Sequence, residues 1–436
     1  MKKTLKAISE IITAILSKKK DRIIGFQSSL TIKDLIPILK GLFSLSKQYG
    51  YSISEYERKF AEFIGVPYAF SYYAGRIAFD AILYALDIKE GDEIILPGYT
   101  CVAVPNPIIF RKAIPVYVDI DYSTCNISPK AACKAITKKT KAIIIQHTYG
   151  IPANIEAFLS ISKKYNIPII EDCCHALGNT YKGKMLGSFG DAAFFSTEQT
   201  KIICTGMGGV AITKNSEIAK RLKTYQDNCI FSSHKEIRKM LCYLIFKLIF
   251  LNPSTQWFGE ILSYYLDRLG IISIPITTKE EMNCRKPKNF RKRFPNALAY
   301  VGISQLNQIR WNLKKREKIV NFYKNILPKI GFQILNSFHQ QAMVRFPFIT
   351  EHKYQLRDFA KKLNLDIGVW FCAPVHPDTV PQELAGYSYG SCPNAEKAVN
   401  TVANLPCHPN LNESDISKVI KILMKFKQCK KFNTYE

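Results

Sequence analysis

The sequence lacks the features that identify several common classes of protein. It contains no internal repeat and no low-complexity segment, which excludes solenoids and tandem arrays. The apolar run KMLCYLIFKLIFL at 239–251 is too short to span a bilayer. The 13 cysteines form no Cys-x-x-Cys pair, and the adjacent Cys173 and Cys174 cannot form an ordinary disulfide. We therefore predict no metal site and no disulfide framework, and we expect reduced thiols in a cytoplasmic protein.

Acidic residues are also few. The chain has 35 Asp and Glu residues against 61 Lys and Arg residues, which gives a formal net charge of +26. Such a charge suits an anionic membrane surface, a phosphorylated substrate or a nucleic acid, but solvated lysines on exposed helix faces explain most of it. We therefore predict no nucleic-acid partner, and peripheral contact with the inner face of a membrane stays open.

With 436 residues, of which 47% are hydrophobic, the chain is long enough for a globular protein of two domains. Its first stretch, MKKTLKAISEIITAILSKKK, places apolar residues on one helical face, so we predict an amphipathic helix rather than a cleaved leader. Residues 1–50 are predicted to form an amphipathic helical N-terminal segment, with Pro37 as a kink or break.

A regular alternation follows over 51–230. Continuous apolar strands alternate with helices, which predicts an α/β fold with a mostly parallel sheet covered on both faces. The predicted strands are VPYAFSYYAG, DEIILP, IPVYVDID, KAIIIQHTYG, NIPIIED, DAAFFST and GGVAIT. We assign this range to the large domain.

The pattern changes over 231–294, where two apolar stretches precede the basic run CRKPKNFRKRF. Apolar helices beside a polybasic cluster suit an anionic leaflet, whereas packing on the core or on a second subunit is the structural alternative. Residues 295–436 are predicted to form a smaller α+β domain, which begins with one long helix or a helix pair.

One lysine and one aspartate carry the main functional prediction. Asp172 ends an apolar strand, and Lys201 lies between the strand DAAFFS and the glycine-rich bend TGMGG. This pair suits pyridoxal phosphate, because the amine can bond to the aldehyde and the acid can keep the pyridine nitrogen protonated. The alternatives are a helix cap for Asp172 and one more solvated lysine for Lys201.

Two further residues suit the phosphate of that cofactor. Gly75 lies at the start of the helix GRIAFDAILYAL, where free backbone N–H groups can hold an anion. Ser196 follows the strand FFS, so its hydroxyl can reach the same phosphate. Because sites in open α/β sheets lie at the carboxyl ends of the strands, we expect these residues to meet there.

Several motifs, in the same order along the chain, resemble the DegT/DnrJ/EryC1/StrS family of sugar aminotransferases. They include AGRIAF, GDEIILPGYTCVAVPNPI, IPIIEDCCHALGNTYKGKMLGSFGDAAFFS and TEQTKIICTGMGGVAIT. The resemblance implies the three-layer, aspartate aminotransferase-like fold of PLP fold type I. It also implies a homodimer that transfers an amino group, with glutamate as the donor, to a nucleotide-linked keto-deoxysugar in surface polysaccharide or glycoconjugate biosynthesis.

Carried over by position, the resemblance gives each residue a role. Lys201 would bind pyridoxal phosphate covalently, Asp172 would pair with the ring nitrogen, and His175 would lie beside the ring. The phosphate would be bound by Gly75 and Arg76 through backbone amides and by Ser196 through its hydroxyl.

Two positions depart from the family pattern. Cys101 stands where phenylalanine is common, so Tyr99 is predicted to cover one face of the ring. Asp227 stands where we place the asparagine that family members contribute to the neighbouring subunit's phosphate site. The competing functions are a PLP-dependent sugar dehydratase, in which histidine tends to replace the lysine, and a non-catalytic, membrane-associated protein on the same fold.

Overall fold

The computed structural model describes residues 22–25, 27–45, 50–251, 255–274, 277–336 and 341–432. The helix predicted for the first stretch of the sequence lies outside the described residues. The α-helices span Leu35–Phe43, Tyr51–Ile64, Gly75–Ala85, Pro105–Phe110, Pro129–Ala135, Ile155–Tyr165, Ser216–Asp227, His234–Phe250, Gln256–Arg268, Lys279–Met282, Asn296–Asn307, Ile309–Ile326, Lys353–Lys362, Pro393–Thr401 and Glu413–Phe432.

A large sheet organises the first half of the chain. Its strands are β1 (Tyr68–Tyr72), β2 (Glu93–Pro97), β3 (Ile114–Val118), β4 (Thr140–Gln146), β5 (Ile169–Asp172), β6 (Ala192–Ser196) and β7 (Gly209–Thr213). They lie in the order β1-β7-β6-β5-β4-β2-β3. Only β7 runs antiparallel to its neighbours, β1 and β6, and the other pairs are parallel. The predicted, mostly parallel sheet is confirmed.

The central strands form a buried parallel sheet because most of their side chains are apolar on both faces. All four residues of β5 are buried, and β4 is buried at every position except Lys141. Since successive side chains of a strand point to opposite faces, burial at consecutive positions requires cover on both faces of the sheet. The β-branched isoleucines of these strands fill that core.

A smaller antiparallel sheet lies in the C-terminal half. It consists of β8 (Gln333–Ile334), β9 (Arg345–Ile349) and β10 (Val402–Pro406), in that order. Helix Ile309–Ile326 joins the two halves, because Ile309 and Leu313 belong to the core around the large sheet and Tyr323 belongs to the C-terminal core. Helices Asn296–Asn307 and Ile309–Ile326 follow one another directly, so the helix pair, and not the single long helix, is confirmed. The domain boundaries at 50, 230 and 294 stay predictions.

The stretch 231–294 packs largely on the protein itself. Helix His234–Phe250 buries seven residues, among them Met240 and Leu244, so most of its apolar side chains are core. Pro37 does not break its helix, because it lies in the first turn of Leu35–Phe43, where a missing N–H removes no hydrogen bond. In the part of the chain that the structure describes, no helix combines the length and the hydropathy needed to cross a bilayer.

Six two-residue strands, in three pairs, complete the described fold, and one pair bears on the site. Thr100–Cys101 pairs in parallel with Val375–His376, which ties the loop after β2 to the C-terminal half. The remaining two-residue strands are Ile120–Asp121, Asn126–Ile127, Thr180–Tyr181 and Lys184–Met185.

Candidate functional site

A cavity of about 160 Å³ lies at the carboxyl-terminal edge of the large sheet. Predicted site residues line it: Gly75, Arg76, Asp172, His175, Ser196 and Lys201. The structure therefore brings together all the residues proposed for the cofactor except Tyr99. Their roles in binding it stay predictions.

The topology of the sheet explains why these side chains meet. Strands β5 and β6 are parallel, with Asp172 opposite Phe194, so Asp172 and Ser196 leave the sheet at the same edge. Lys201 follows Ser196 in the turn 197–208, which connects β6 to the antiparallel β7. The chain returns at Gly209, so the turn must stand above the strand ends.

The phosphate-binding residues form a close-fitting backbone cradle. A Cβ atom built on Gly75 would lie 3.1 Å from Cβ of Ser196, so the helix begins directly against that side chain. A Cβ atom on Gly209 would lie only 2.4 Å from the backbone nitrogen of Gly75, and only glycine permits this approach. The first N–H groups of a helix have no partner within the helix, so this cradle suits a phosphate.

Asp172 is a buried carboxylate at the base of the cavity, and only 5% of its surface is exposed. One carboxylate oxygen accepts a 3.0 Å hydrogen bond from the backbone N–H of Cys174. Burial raises the pKa of Asp172, while the contacts with Cys174 and the charge of Lys201 act in the opposite direction. A cationic ring nitrogen beside this carboxylate would favour its ionised form.

Lys201 reaches an aromatic wall that comes from the C-terminal half. Its Nζ lies 5.0 Å from the centre of the Trp370 ring, a cation–π contact. The ring of Trp370 in turn lies 4.5 Å from that of His175. Phe371 lines the cavity itself. The amine of Lys201 is therefore held within the site rather than solvated on the surface.

His175 is a neutral imidazole in this position. Burial lowers its pKa well below the ordinary value, and the charges of Lys201 and Arg345 lower it further. Its Nδ1 accepts a 3.3 Å hydrogen bond from the backbone N–H of Tyr149, so the ring proton is assigned to Nε2. A neutral ring with one N–H suits a donor to the 3-hydroxyl of a pyridoxal ring.

The prediction for Tyr99 needs correction. Its side chain is completely buried and does not line the cavity, whereas Cys101 does. The Tyr99 hydroxyl forms a 2.8 Å hydrogen bond with that of Tyr149, and its ring packs edge-on against Phe371 at 4.9 Å. Tyr99 belongs to the C-terminal core, so it cannot cover a cofactor ring in this cavity.

Glu171, next to Asp172, is held by hydrogen bonds within the protein and does not line the cavity. Its oxygens accept backbone hydrogen bonds from Gly187, Phe189 and Gly190, and His147 donates to it at 3.0 Å. Glu171, His147 and Cys173 lie close enough to share a metal ion. Nδ1 of His147, however, accepts the N–H of Ala153, which leaves its other nitrogen to Glu171. The hydrogen-bond capacity of Glu171 and His147 is therefore used within the protein.

Two charged residues near the cavity are paired. The side chain of Arg76 forms an ion pair with the buried carboxylate of Glu281, including a 3.1 Å hydrogen bond from Nη2. Asp227 pairs with Lys223 at 2.7 Å and with Arg293 at 3.2 Å, and it does not line the cavity. Its predicted place beside a partner's phosphate stays a prediction.

Sequence reasoning missed several residues of the site. They are Gln146, Cys174, Glu198, Thr277 and Phe371, all of which line the cavity, and Trp370 beside Lys201. Gln146 had a usable signal, because it ends β4 next to the end of β5. Trp370 and Phe371 had none, since they follow no periodic pattern and reach the site through the pairing of Val375–His376 with Thr100–Cys101.

Comparison with known proteins agrees with this geometry. A sequence model of the DegT/DnrJ/EryC1/StrS aminotransferase family matches residues 38–244 and 275–424. A GDP-perosamine synthase from Escherichia coli O157:H7 is 31% identical over 92% of this chain and 97% of its own length. A dTDP-3-amino-3,6-dideoxy-alpha-D-galactopyranose transaminase from Aneurinibacillus thermoaerophilus is 36% identical over 53% of this chain and 67% of its own length.

Solved structures share the fold. An aminotransferase from Psychrobacter cryohalolentis superposes with a TM-score of 0.72 and 21% identity, covering 92% of this chain and 98% of its own. The protein NtdA from Bacillus subtilis, solved with bound PMP, gives a TM-score of 0.70 at 20% identity, covering 93% and 86%. The predicted PLP fold type I is confirmed. This chain belongs to the DegT/DnrJ/EryC1/StrS aminotransferase family, as its motifs predicted.

Proposed function

We propose that this protein is a pyridoxal phosphate-dependent aminotransferase that moves an amino group from glutamate to a nucleotide-linked keto-deoxysugar. The observation that carries the proposal is the single cavity lined by Lys201, Asp172 and Ser196 together with the helix start at Gly75. The relatives named GDP-perosamine synthase and dTDP-amino-sugar transaminase support the class of acceptor. A product of this kind suits the building of a surface polysaccharide.

When bound, pyridoxal phosphate would supply an electron-accepting ring that makes the α-hydrogen of the donor acidic. Lys201 would hold the cofactor through Nζ and, once displaced by the donor, would take the proton from the donor's α-carbon. Asp172 would face the ring nitrogen, and its negative charge would keep that nitrogen protonated. The backbone at Gly75 and Arg76 and the hydroxyl of Ser196 would orient the phosphate.

The direct test is to incubate the purified protein with pyridoxal phosphate, L-glutamate and a panel of keto sugars linked to GDP, dTDP or UDP. We expect one acceptor to give an amino sugar by mass spectrometry, with one 2-oxoglutarate formed for each amino group transferred. Failure of every acceptor, together with no 2-oxoglutarate from glutamate alone, would contradict the proposal. If 2-oxoglutarate forms from glutamate but no sugar is aminated, the first half of the reaction is confirmed and other acceptors should be tested.

The same assay separates transamination from sugar dehydration. A dehydratase would release a sugar that has lost water and would leave glutamate unconsumed. The retained lysine at 201 supports transamination, because family members that dehydrate tend to carry histidine there. The position of Lys201 inside the cavity favours the same outcome.

We infer that the protein acts as a homodimer in which each cavity lies near the subunit boundary. The exposed apolar side chains of Ile32, Ile36 and Phe43, on and just before one helix, are suited to protein contact. Light scattering after gel filtration should give twice the chain mass of 49.7 kDa. A protein that is fully active and has the mass of a monomer would exclude this assembly.

Peripheral membrane contact is a narrower proposal, restricted to 256–271. Tyr264, Leu269 and Ile271 are exposed there, by 53%, 73% and 52%. The basic run offers less to an anionic surface than its composition suggests, since Arg291, Lys292 and Arg293 all pair with acidic residues of this chain.

Vesicles of phosphatidylcholine with and without phosphatidylserine test this contact. We expect co-sedimentation that needs phosphatidylserine and is lost in a Leu269→Ser/Ile271→Ser variant. Leu384→Ser, an exposed apolar residue of the C-terminal half, is the matched control. No sedimentation of the wild-type chain would remove membrane contact from the proposed function.

A further inference from the structure

The side chain of Gln199 joins the turn of Lys201 to the helix His234–Phe250. Its carbonyl oxygen Oε1 accepts a 2.7 Å hydrogen bond from the hydroxyl of Tyr243 and a 2.9 Å hydrogen bond from Nζ of Lys247. Gln199 precedes Lys201 in the same turn, 197–208. A displacement of Gln199 would therefore be transmitted to Lys201 through very few backbone bonds.

The same helix face also contacts the glycine bend of the turn. A Cβ atom on Gly206 would lie 2.8 Å from Sδ of Met240 and 3.3 Å from a methyl group of Leu244. Met240, Tyr243, Leu244 and Lys247 have the spacing of one helical face. This face lies on the turn at Gln199 and at Gly206, on either side of Lys201.

Lys247 is an unusual residue for such a contact. It is only 9% exposed, and an ammonium group at this depth loses most of its hydration. Burial lowers the pKa of Lys247, while the nearby Cys204 and Glu198 act in the opposite direction. A methionine would fill this space without that desolvation, so the hydrogen bond to Gln199 is the specific feature that a lysine adds.

The other half of the turn is held by different helices. Nδ2 of Asn312 donates to the carbonyl oxygen of Ile202 at 2.5 Å, and Oε1 of Gln305 accepts from the backbone N–H of Cys204 at 3.2 Å. Lys201 thus lies between two attachments. Lys247 lies within 245–274, the stretch between the two segments that the family model matches, so its attachment is not part of the matched framework.

We propose that Tyr243 and Lys247 are positioning residues, which hold the turn of Lys201 in place through the side-chain oxygen of Gln199. Neither of them lines the cavity. The inference about the turn rests on these contacts alone, and its effect on catalysis rests on the proposed function. The helix His234–Phe250 thus has a role other than membrane contact, because one of its faces supports the turn of Lys201.

Hydrogen–deuterium exchange over 197–208 tests the inference without any substrate. The backbone N–H groups of Lys201 and Thr205 are hydrogen-bonded within the turn, at 3.0 and 2.9 Å, and they report its opening. In a Tyr243→Phe/Lys247→Met variant we expect exchange there to be faster by roughly tenfold or more, the effect of losing hydrogen bonds that include a charged donor. Exchange in β6 should not change.

Two controls make the result specific. Lys235→Met removes an exposed lysine from the first turn of the same helix, and Tyr264→Phe removes an exposed hydroxyl from the next helix. Neither should alter exchange over 197–208. Lys247→Arg keeps a donor and should restore most of the protection, which a purely space-filling role would not predict.

Gln199→Leu removes the acceptor of both hydrogen bonds and leaves the helix His234–Phe250 unchanged. This variant therefore tests the proposal even if the double variant does not fold. Wild-type exchange over 197–208 in Gln199→Leu, or in a folded double variant, would overturn the proposal. Faster release of pyridoxal phosphate from the loaded variants is expected as a second readout. Faster exchange in a protein that neither aminates a sugar nor converts glutamate to 2-oxoglutarate would leave the positioning role standing and contradict only the proposed function.

Discussion

The edge of the large sheet and the stretch 231–294 both bear on Lys201, but they are built differently. At the sheet edge, backbone topology places Asp172 and Ser196, because parallel strands end together whatever side chains they carry. In 231–294, individual side chains such as Tyr243 and Lys247 make the contact from one face of the helix His234–Phe250.

The difference shows which parts of a site a sequence can reveal. Catalytic groups on strand ends follow from a pattern of apolar strands and need no knowledge of distant contacts. Supporting groups on a helix are recognisable only when the surface that they pack on is known. Variants at the sheet edge should therefore act on the chemistry, and variants of groups behind it should act on stability or on the turn.

Lys201→Ala should have the largest effect. Removing the amine removes both the covalent attachment and the group that moves the proton, so the amination rate should fall about 10³-fold or more. The visible absorption band of the lysine-bound cofactor should disappear. Lys214→Ala, at an exposed residue just after β7, is the control and should behave as wild type. An unchanged absorption band in Lys201→Ala would place the covalent attachment elsewhere.

Asp172→Asn should come next. The amide has the shape of the carboxylate without its charge, so it cannot favour a protonated ring nitrogen. We expect the amination rate to fall roughly 100-fold, which corresponds to about 2.7 kcal/mol in the activation barrier. The cofactor should still bind, since Ser196 and Gly75 remain, and a fluorescence titration measures this. Wild-type turnover in Asp172→Asn would remove its assigned role and weaken the whole comparison.

Glu171→Gln, one position away, should affect folding rather than chemistry. The new amide would direct N–H groups at backbone donors such as Gly187 and Phe189, so we expect a loss of about 2–3 kcal/mol in the free energy of unfolding. Urea denaturation measures it, with exposed Glu217→Gln as the control.

The same residue gives a pH dependence with a defined sign. Burial alone would raise the pKa of Glu171, but His147 and the backbone amides together hold it below its ordinary value of 4.5. The folded pKa is therefore the lower one, so this stabilisation is complete above the ordinary value and is lost as the pH falls through the folded pKa. The wild-type chain should lose more stability than Glu171→Gln over that acid range. Parallel losses would show that Glu171 titrates normally.

Much of the fold was predictable because its signals are local. Isoleucine-rich strands such as β4 and β5 indicated a buried parallel sheet, and the ends of those strands indicated where the cavity would lie. The same logic gave Asp172 and Lys201. Gly75 was predictable as a helix start, although the reason for a glycine at 209 appears only in the close approach of two backbones.

The rest depends on contacts that have no sequence period. Trp370 meets Lys201 only because the C-terminal half folds back along Thr100–Cys101. The composition of the polybasic run predicts a surface for an anionic leaflet, yet three of its six basic residues pair with acids that lie far away in the sequence, Asp80 among them. Such ion pairs form only in the tertiary structure, so composition alone cannot predict them.

Tyr99→Phe should have the smallest effect. It distinguishes residues that line the cavity from residues that only pack behind it. The hydroxyl forms a buried hydrogen bond with Tyr149 and does not reach the cavity, so its loss should lower the free energy of unfolding by about 1 kcal/mol. The cofactor's affinity and absorption band should stay as in wild type, because Cys101 and not Tyr99 lines the site. A shifted absorption band with unchanged stability would restore Tyr99 to the ring-facing role that the sequence suggested. A stability change alone would place it with Glu171, among the residues that support the sheet edge from behind.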